Sequence, residues 1–521
     1  MSAMIDLRHF MEPRTTTYED FLREKVAFDR TFGFDVNDVD VHPSLLPHQR
    51  DIVRWAVRGG RRAIFAKFGL GKSVMQLEAL RLVLTHPASE VAGGRALIVA
   101  PLGVRGEFIR DARNLLNIEV RFVRRTADLD PHWSGIYVTN YESVRDGKLD
   151  VTQFDAVSLD EASVLRSFGS KTYQEFLGLF DSLTYRFVAT ATPSPNRHKE
   201  LIHYAGFLGI MDTGQALTRF FQRDSTQANH LTLYPHKERE FWLWLNTWAC
   251  FVQRPSDLGH SDEGYDLPEL SVVWHEVQTG VQSDEVDRDG QAVLVRGAAK
   301  SLKAAAKEKR DTLSERVAQA VELVRAHVAE HGADDPVILW CDLNDEQDAI
   351  EKALRAEGLA FSSVHGSLPD DEAERRLDAW RDGETAELIG KPVQLGQGMN
   401  LQRSNTAIFV GVTYKFNDTI QAVHRIQRFG QTRPCTVHLI YAETEGQIRD
   451  SLLTKWEEHD RLTETMSDII REYGLNPAAI SAELTRTMGV DRVEAAGEGW
   501  TVANNDCVPE TRDHMETDSV D

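Results

Sequence analysis

Four cysteines, Cys250, Cys341, Cys435 and Cys507, are all that the 521 residues contain, and no two of them form a C-x-x-C pair or sit at metal-ligand spacing from a histidine. That excludes a disulfide framework and gives no support to a structural zinc site, so a reducing, cytoplasmic setting is expected. Apolar runs are short throughout, none approaching the roughly eighteen residues of a membrane span, and the first residues lack a basic segment followed by an apolar one. Secretion and membrane insertion are therefore not expected. Basic charge is also scarce: 59 Lys and Arg stand against 81 Asp and Glu, a formal net charge of −22. A protein that coats nucleic acid nonspecifically is disfavoured, although net charge says little about a local groove. No nuclease or methyltransferase motif is recognisable, so any such chemistry would come from a partner chain. At roughly 150 residues per domain, the length suggests about three domains.

What is present is an alternation of short apolar runs and helical patterns. In the first block the runs lie at 62–66, 96–100, 136–141, 156–159 and 186–190, and in the second at 336–341, 361–365, 406–412 and 436–440. This is the pattern of parallel sheets covered by helices, whose ligands bind at the carboxyl ends of the strands. The expected fold class is α/β, with two parallel-sheet lobes and a helical insertion or linker between them. The boundaries read as an N-terminal extension over 1–43, a first lobe over 44–200, an insertion and linker over 201–315, a second lobe over 316–465, and a C-terminal helix with an acidic, disordered tail over 466–521.

Directly after the first strand comes Ala66-Lys67-Phe68-Gly69-Leu70-Gly71-Lys72-Ser73, directly before a helical pattern. A phosphate loop needs glycines so that backbone N–H groups can close around the anion, a lysine for the terminal phosphate charge, and a hydroxyl for Mg²⁺; Gly69, Gly71, Lys72 and Ser73 supply these. Further along, Asp160-Glu161 ends an apolar run. The Asp can hold Mg²⁺ together with Ser73, and the Glu can polarise an attacking water. Alone, such an acidic pair reads more often as a solvated turn; with the loop upstream, it reads as half of an ATP site.

The whole set of segments resembles the Swi/Snf-type ATPases of helicase superfamily two, over roughly residues 44–460, and is similar to the compact members found in bacteria and phages. The resemblance rests on the A-x-x-G-x-G-K-S loop, on LeuLeuProHisGlnArg at 45–50, on ThrAlaThrPro at 190–193, on LeuGlyGlnGlyMetAsnLeuGln at 395–402 and, most specifically, on Gln-x-x-x-Arg-x-x-Arg-x-Gly-Gln at 421–431. It implies two RecA-like lobes, ATP and Mg²⁺ as cofactors, and hydrolysis coupled to movement on double-stranded DNA. It assigns adenine recognition to Gln49, further nucleotide contacts to Gly398 and Gln421, and a finger completing the site from the second lobe to Arg428, with Arg425 beside it. By motif position, it assigns nucleic-acid backbone contacts to Arg105, Thr139, Asn140, Tyr141 and Lys391. The chain departs from the family pattern at three places: Ser163 stands where a His is common, Lys391-Pro392 where Ser-Thr is usual, and Ser73 where Thr is usual.

Arg296, Lys300, Lys303, Lys307 and Arg310 recur at steps of four and three, which places them on one helix face. The stripe reads equally as a track for a phosphate backbone and as a solvated face of a linker helix. Trp242, Trp244 and Trp248 read as core packing rather than base stacking. Two other functions fit the same motifs: a strand-separating helicase, and an ATP-gated clamp that recruits a DNA-modifying or nuclease partner.

Overall fold

The computed structural model describes residues 31–166, 170–194, 198–223, 231–278, 310–395 and 400–487. Its strands, in chain order, are β1 (Arg61–Ala66), β2 (Arg95–Ala100), β3 (Val120–Phe122), β4 (Gly135–Asn140), β5 (Ala156–Asp160), β6 (Tyr185–Thr190), β7 (Phe221–Arg223), β8 (Leu231–Leu233), β9 (Ala249–Val252), β10 (Leu270–Val277), β11 (Val337–Trp340), β12 (Phe361–Ser363), β13 (Glu387–Gly390), β14 (Thr406–Phe409) and β15 (Cys435–Ala442). Two parallel sheets result. The first runs β3-β4-β2-β5-β6-β1-β9 and the second β10-β15-β14-β11-β13-β12, while β7 and β8 form a small antiparallel pair.

The central strands are near-continuous apolar runs because both faces of each sheet are covered. In the first lobe, one face packs on helices Pro47–Gly59, Lys72–Thr85 and Arg105–Leu116 through Ile52, Ile64, Met75, Leu80, Ile98 and Phe108. The other packs on helices Leu201–Leu208 and Glu238–Trp248. Trp242, Trp244 and Trp248 are buried in that second layer, as core residues. The second sheet is covered in the same way, through Val321, Val324 and Ile350 on one side and Trp380, Leu395 and Ile420 on the other.

The segment read as an insertion divides between the two sheets. β9 pairs with β1 (Ala63 with Ala249), and β10 pairs with β15 over eight residues, from Leu270 with Cys435 to Val277 with Ala442. Each is therefore an edge strand of a lobe. The C-terminal part also departs from expectation. Helix Gly446–Tyr473 starts on the second-lobe core with Ile448 and Leu452, then enters the first-lobe cores with Leu462, Met466 and Ile470. Helix Pro477–Thr487 follows and buries Ile480 and Leu484 in the first lobe. Of the basic stripe, only Arg310 is described; it is exposed, with its guanidinium 3.6 Å from Asp345. Arg296, Lys300, Lys303 and Lys307 lie outside the described residues, as does Gly398.

Candidate ATP and nucleic-acid site

The carboxyl ends of β1, β6 and β5 are neighbours in the first sheet, and they bring the loop, the ThrAlaThrPro motif and the acidic pair to one edge. Gly69 and Gly71 have φ of +87° and +82°, values that favour glycine. Space forces the choice as well: a Cβ on Gly71 would lie 2.4 Å from Gln49 Nε2, and one on Gly69 would lie 3.0 Å from the backbone N of Phe429. Gln49 donates from Nε2 to the Leu70 carbonyl (3.1 Å), while its Oε1 accepts from Leu46 N (3.0 Å). The glutamine thus ties its own helix to the loop.

Lys72 opens helix Lys72–Thr85 and turns its Nζ back onto the carbonyls of Ala66 (2.9 Å) and Lys67 (3.4 Å). Burial lowers its pKa to about 8, against the opposing pull of Glu161 and Asp160 and with a further push from Arg425 and Arg428. A cation held by two carbonyls and the face of Phe68 (5.3 Å) in a desolvated loop gains from an arriving anion. Ser73 follows in the same first turn, partly buried. One turn on, Gln76 donates from Nε2 to Asp160 Oδ1 (2.8 Å) and accepts from Ser158 Oγ (2.7 Å), which fixes the carboxylate beside this helix.

Asp160 is buried, and desolvation together with the neighbouring Glu161 charge raises its pKa well above the usual carboxylate range. Two buried carboxyl groups side by side need a cation to be fully ionised. The donor set of Ser73 and Asp160 therefore suits Mg²⁺, a hard cation that takes one or two carboxylates and keeps its remaining ligands as water and phosphate oxygen. Glu161 has φ +48°, unusual for a residue with a side chain, and its Oε2 accepts from Thr190 Oγ1 (3.2 Å) and, across the cleft, from Gln421 Nε2 (3.2 Å). Backbone strain of this kind persists where the surroundings hold it.

The second lobe completes the edge. Helix Phe416–Val423 follows β14 and presents Gln421, after which the chain turns through Arg425 and Arg428. Arg425 is buried, its guanidinium 5.8 Å from the centre of the Phe68 ring, and burial lowers its pKa to about 10 while Glu161 pulls it up. His424 stacks on Phe68 at 4.7 Å, so the arginine segment rests on the phosphate loop itself. Arg428 is partly buried, and its charge is felt by both Lys72 and Asp111.

The expected nucleic-acid contacts divide into two groups. Thr139 is 0% exposed, and Tyr141 is buried with its hydroxyl donating to the Asp160 carbonyl (2.7 Å). In this structure neither side chain faces a groove. Tyr141 instead braces the turn that carries the acidic pair, and Thr139 is buried within β4. Arg105, Asn140 and Lys391 are partly exposed, at or just beyond the tips of β2, β4 and β13. Arg105 lies over Phe122 (4.9 Å), Asn140 donates to Glu142 Oε2 (2.7 Å), and Lys391 donates to Asn344 Oδ1 (2.5 Å). Gln76 was not singled out from sequence, and Thr190 was read only as part of ThrAlaThrPro at 190–193. For Gln76 the signal was there, a lone amide within the apolar face of a helix.

Among known proteins, residues 316–430 match the family model described as helicase conserved C-terminal domain. The chain is 29% identical over 128 residues to the ATP-dependent RNA helicase dbp3 of Emericella nidulans, covering 22% of this chain and 25% of that protein. It is 26% identical over 161 residues to the ATP-dependent helicase fft1 of Schizosaccharomyces pombe, covering 30% of this chain and 16% of that one. The chain thus spans a quarter or less of the length of these curated relatives. A solved structure, the Sulfolobus solfataricus SWI2/SNF2 ATPase core in complex with dsDNA, aligns over 87% of this chain and 98% of that one at 16% identity and a TM-score of 0.37. The domain match and the helicase relatives bear out the helicase superfamily-two resemblance carried by the motifs, and residues 316–430 are similar to a helicase conserved C-terminal domain.

Proposed function

We propose that this chain is an ATP-dependent nucleic-acid motor that hydrolyses ATP with Mg²⁺ and turns the closing and opening of its cleft into movement along double-stranded DNA. The observation that carries the proposal is the Gln421–Glu161 hydrogen bond, which joins the motif of one lobe to the acidic pair of the other beside Lys72. Backbone N–H groups of the loop and Lys72 would hold the triphosphate, and Gln49 would read the base. Ser73 and Asp160 would hold Mg²⁺, which when bound offsets the charge of the β and γ phosphates. Glu161 takes a proton from the attacking water as its oxygen bonds to the γ phosphorus and the bond to the bridging oxygen of the leaving ADP breaks. Arg425 and Arg428 stabilise the charge that accumulates in between, and they do so only when the second lobe is seated on the loop. That dependence is what would link hydrolysis to lobe motion.

Arg105, Asn140 and Lys391 are proposed to touch the nucleic-acid backbone. The double-stranded DNA assignment rests on the Swi/Snf-type motifs, whereas several relatives carry RNA helicase in their names, so RNA is the competing substrate. Steady-state ATP hydrolysis with no nucleic acid, single-stranded DNA, duplex DNA or RNA separates the two. Duplex DNA is expected to stimulate most, with displacement of a triplex strand and no unwinding of a forked duplex. Stimulation by RNA alone, or by none of them, overturns the substrate assignment.

A further inference from the structure

Helix Lys72–Thr85 carries an amide inside its apolar covering of the first sheet. Gln76 is 1% exposed and lies one turn after Ser73, so the two side chains share a side of the helix. Across from it, Ser158 and Asp160 stand two positions apart on β5 and therefore on the same face of that strand. Gln76 bridges them: its Oε1 accepts from Ser158 Oγ (2.7 Å) and its Nε2 donates to Asp160 Oδ1 (2.8 Å). All three side chains are buried.

The direction of this chain of bonds matters. The Ser158 hydroxyl donates to the amide oxygen, which leaves the NH₂ group to face the carboxylate. Turned over, the amide would set its oxygen against a carboxylate oxygen, a costly arrangement in a low-dielectric interior. The serine thus fixes which end of Gln76 meets Asp160. A carboxylate has about four acceptor sites, so one amide bond orients it without filling it. The backbone of the same residue is held separately, where the Asp160 carbonyl accepts from the Tyr141 hydroxyl (2.7 Å). Asp160 is thereby fixed through both its main chain and its side chain, on the side of the helix that carries Ser73.

We propose that Gln76, oriented by Ser158, is a positioning residue for the metal site, presenting the Asp160 carboxylate to Mg²⁺ beside Ser73. The assignment rests on the ATP reading above and adds to it two residues that would touch neither the metal nor the nucleotide. A hydrogen-bond partner behind a metal ligand sets the ligand's direction before the ion arrives, and losing such a partner typically costs about 10–100-fold in metal affinity. The signature of such a role is a loss confined to the metal.

The test uses the full chain with ADP and Mn²⁺, an ion that shares the oxygen-ligand preference of Mg²⁺ and whose free form is counted by its paramagnetic resonance signal. Two affinities are measured: that of ADP without divalent metal, by titration calorimetry, and that of Mn²⁺ for the ADP-loaded protein. Gln76→Met keeps the length of the side chain and removes the amide; it is expected to weaken Mn²⁺ binding about 10–100-fold and to leave metal-free ADP binding unchanged. Ser158→Ala, a milder change that frees the amide to turn, is expected to give a smaller loss of the same kind, and it decides the matter if Gln76→Met does not fold. Unchanged Mn²⁺ affinity, or an equal loss of metal-free ADP binding, overturns the positioning role. Wild-type protein that binds ADP but gains no Mn²⁺ site overturns the metal assignment of Ser73 and Asp160; wild-type protein that binds no ADP overturns the ATP reading itself.

Discussion

Lys72, Glu161 and Arg428 have separable jobs, and single substitutions tell them apart. Lys72→Ala removes the cation aimed at the phosphates and is expected to lower turnover at least about a hundredfold. Glu161→Gln keeps the shape and the Thr190 and Gln421 neighbours but removes the base, so it should bind ATP and fail to hydrolyse it; full activity in either variant would remove the assignment. Arg428→Ala should bind ATP normally and lose about a thousandfold in kcat, as expected for a finger. A different carboxylate reports on stability. Glu387 on β13 is 1% exposed, its Oε1 has no partner among the described residues, and burial raises its pKa to about 7, opposed in part by Arg403. Because the folded-state value lies above that of the unfolded chain, the destabilisation is absent below about pH 4.5, grows up to pH 7 and is full above it. Glu387→Gln is therefore expected to stabilise by about 2 kcal/mol at pH 8 and hardly at all at pH 5, and equal melting shifts at both pH values would contradict this. The ATP residues were legible in sequence because phosphate chemistry demands particular side chains at fixed spacing. Gln76 was not, because its amide meets Asp160, 84 positions away, only after folding.

At the scale of elements, the strands that sequence reveals are those flanked by polar turns: β1, β2, β4, β5, β6, β11, β12, β14 and β15 all fall on the short apolar runs. β9 is hidden because Phe241 to Val252 is one apolar stretch in which a buried helix passes directly into a strand, and periodicity cannot divide it. β10 is hidden differently: Leu270, Val272 and Trp274 pack on one face against second-lobe core residues distant in sequence, while Ser271 and Val273 are exposed on the other. Helix Pro477–Thr487 is legible as a helix but not as part of the first lobe, since its two buried anchors, Ile480 and Leu484, have their partners on helix Glu238–Trp248 and its neighbours. Arg239 adds polar contacts there, donating to Glu483 Oε1 and to the Tyr473 hydroxyl, both at 3.0 Å. Leu484→Ala is expected to cost about 2–4 kcal/mol and to lower the melting temperature of the first lobe; an unchanged melting curve would mean that this helix is not part of that core.

For the whole molecule, the proposed binding to a polyanion would have to coexist with a net charge of −22. On that reading the contacts would be local, and affinity for duplex DNA is expected to fall roughly tenfold or more between about 50 and about 200 mM salt; a salt-independent affinity would exclude phosphate contacts as its source. The long helix Gly446–Tyr473 has a mechanical meaning as well. At about 1.5 Å per residue its 28 residues span about 42 Å, and they cross from one core to the other. The chain also crosses earlier, between β9 and β10, so the lobes are joined at two separate places. Two bodies pinned at one point can swivel freely, whereas two bodies pinned at two points turn only about the line between the pins. On the proposed reading, a molecule joined in this way would move less like a pair of beads on a string than like a door on its frame.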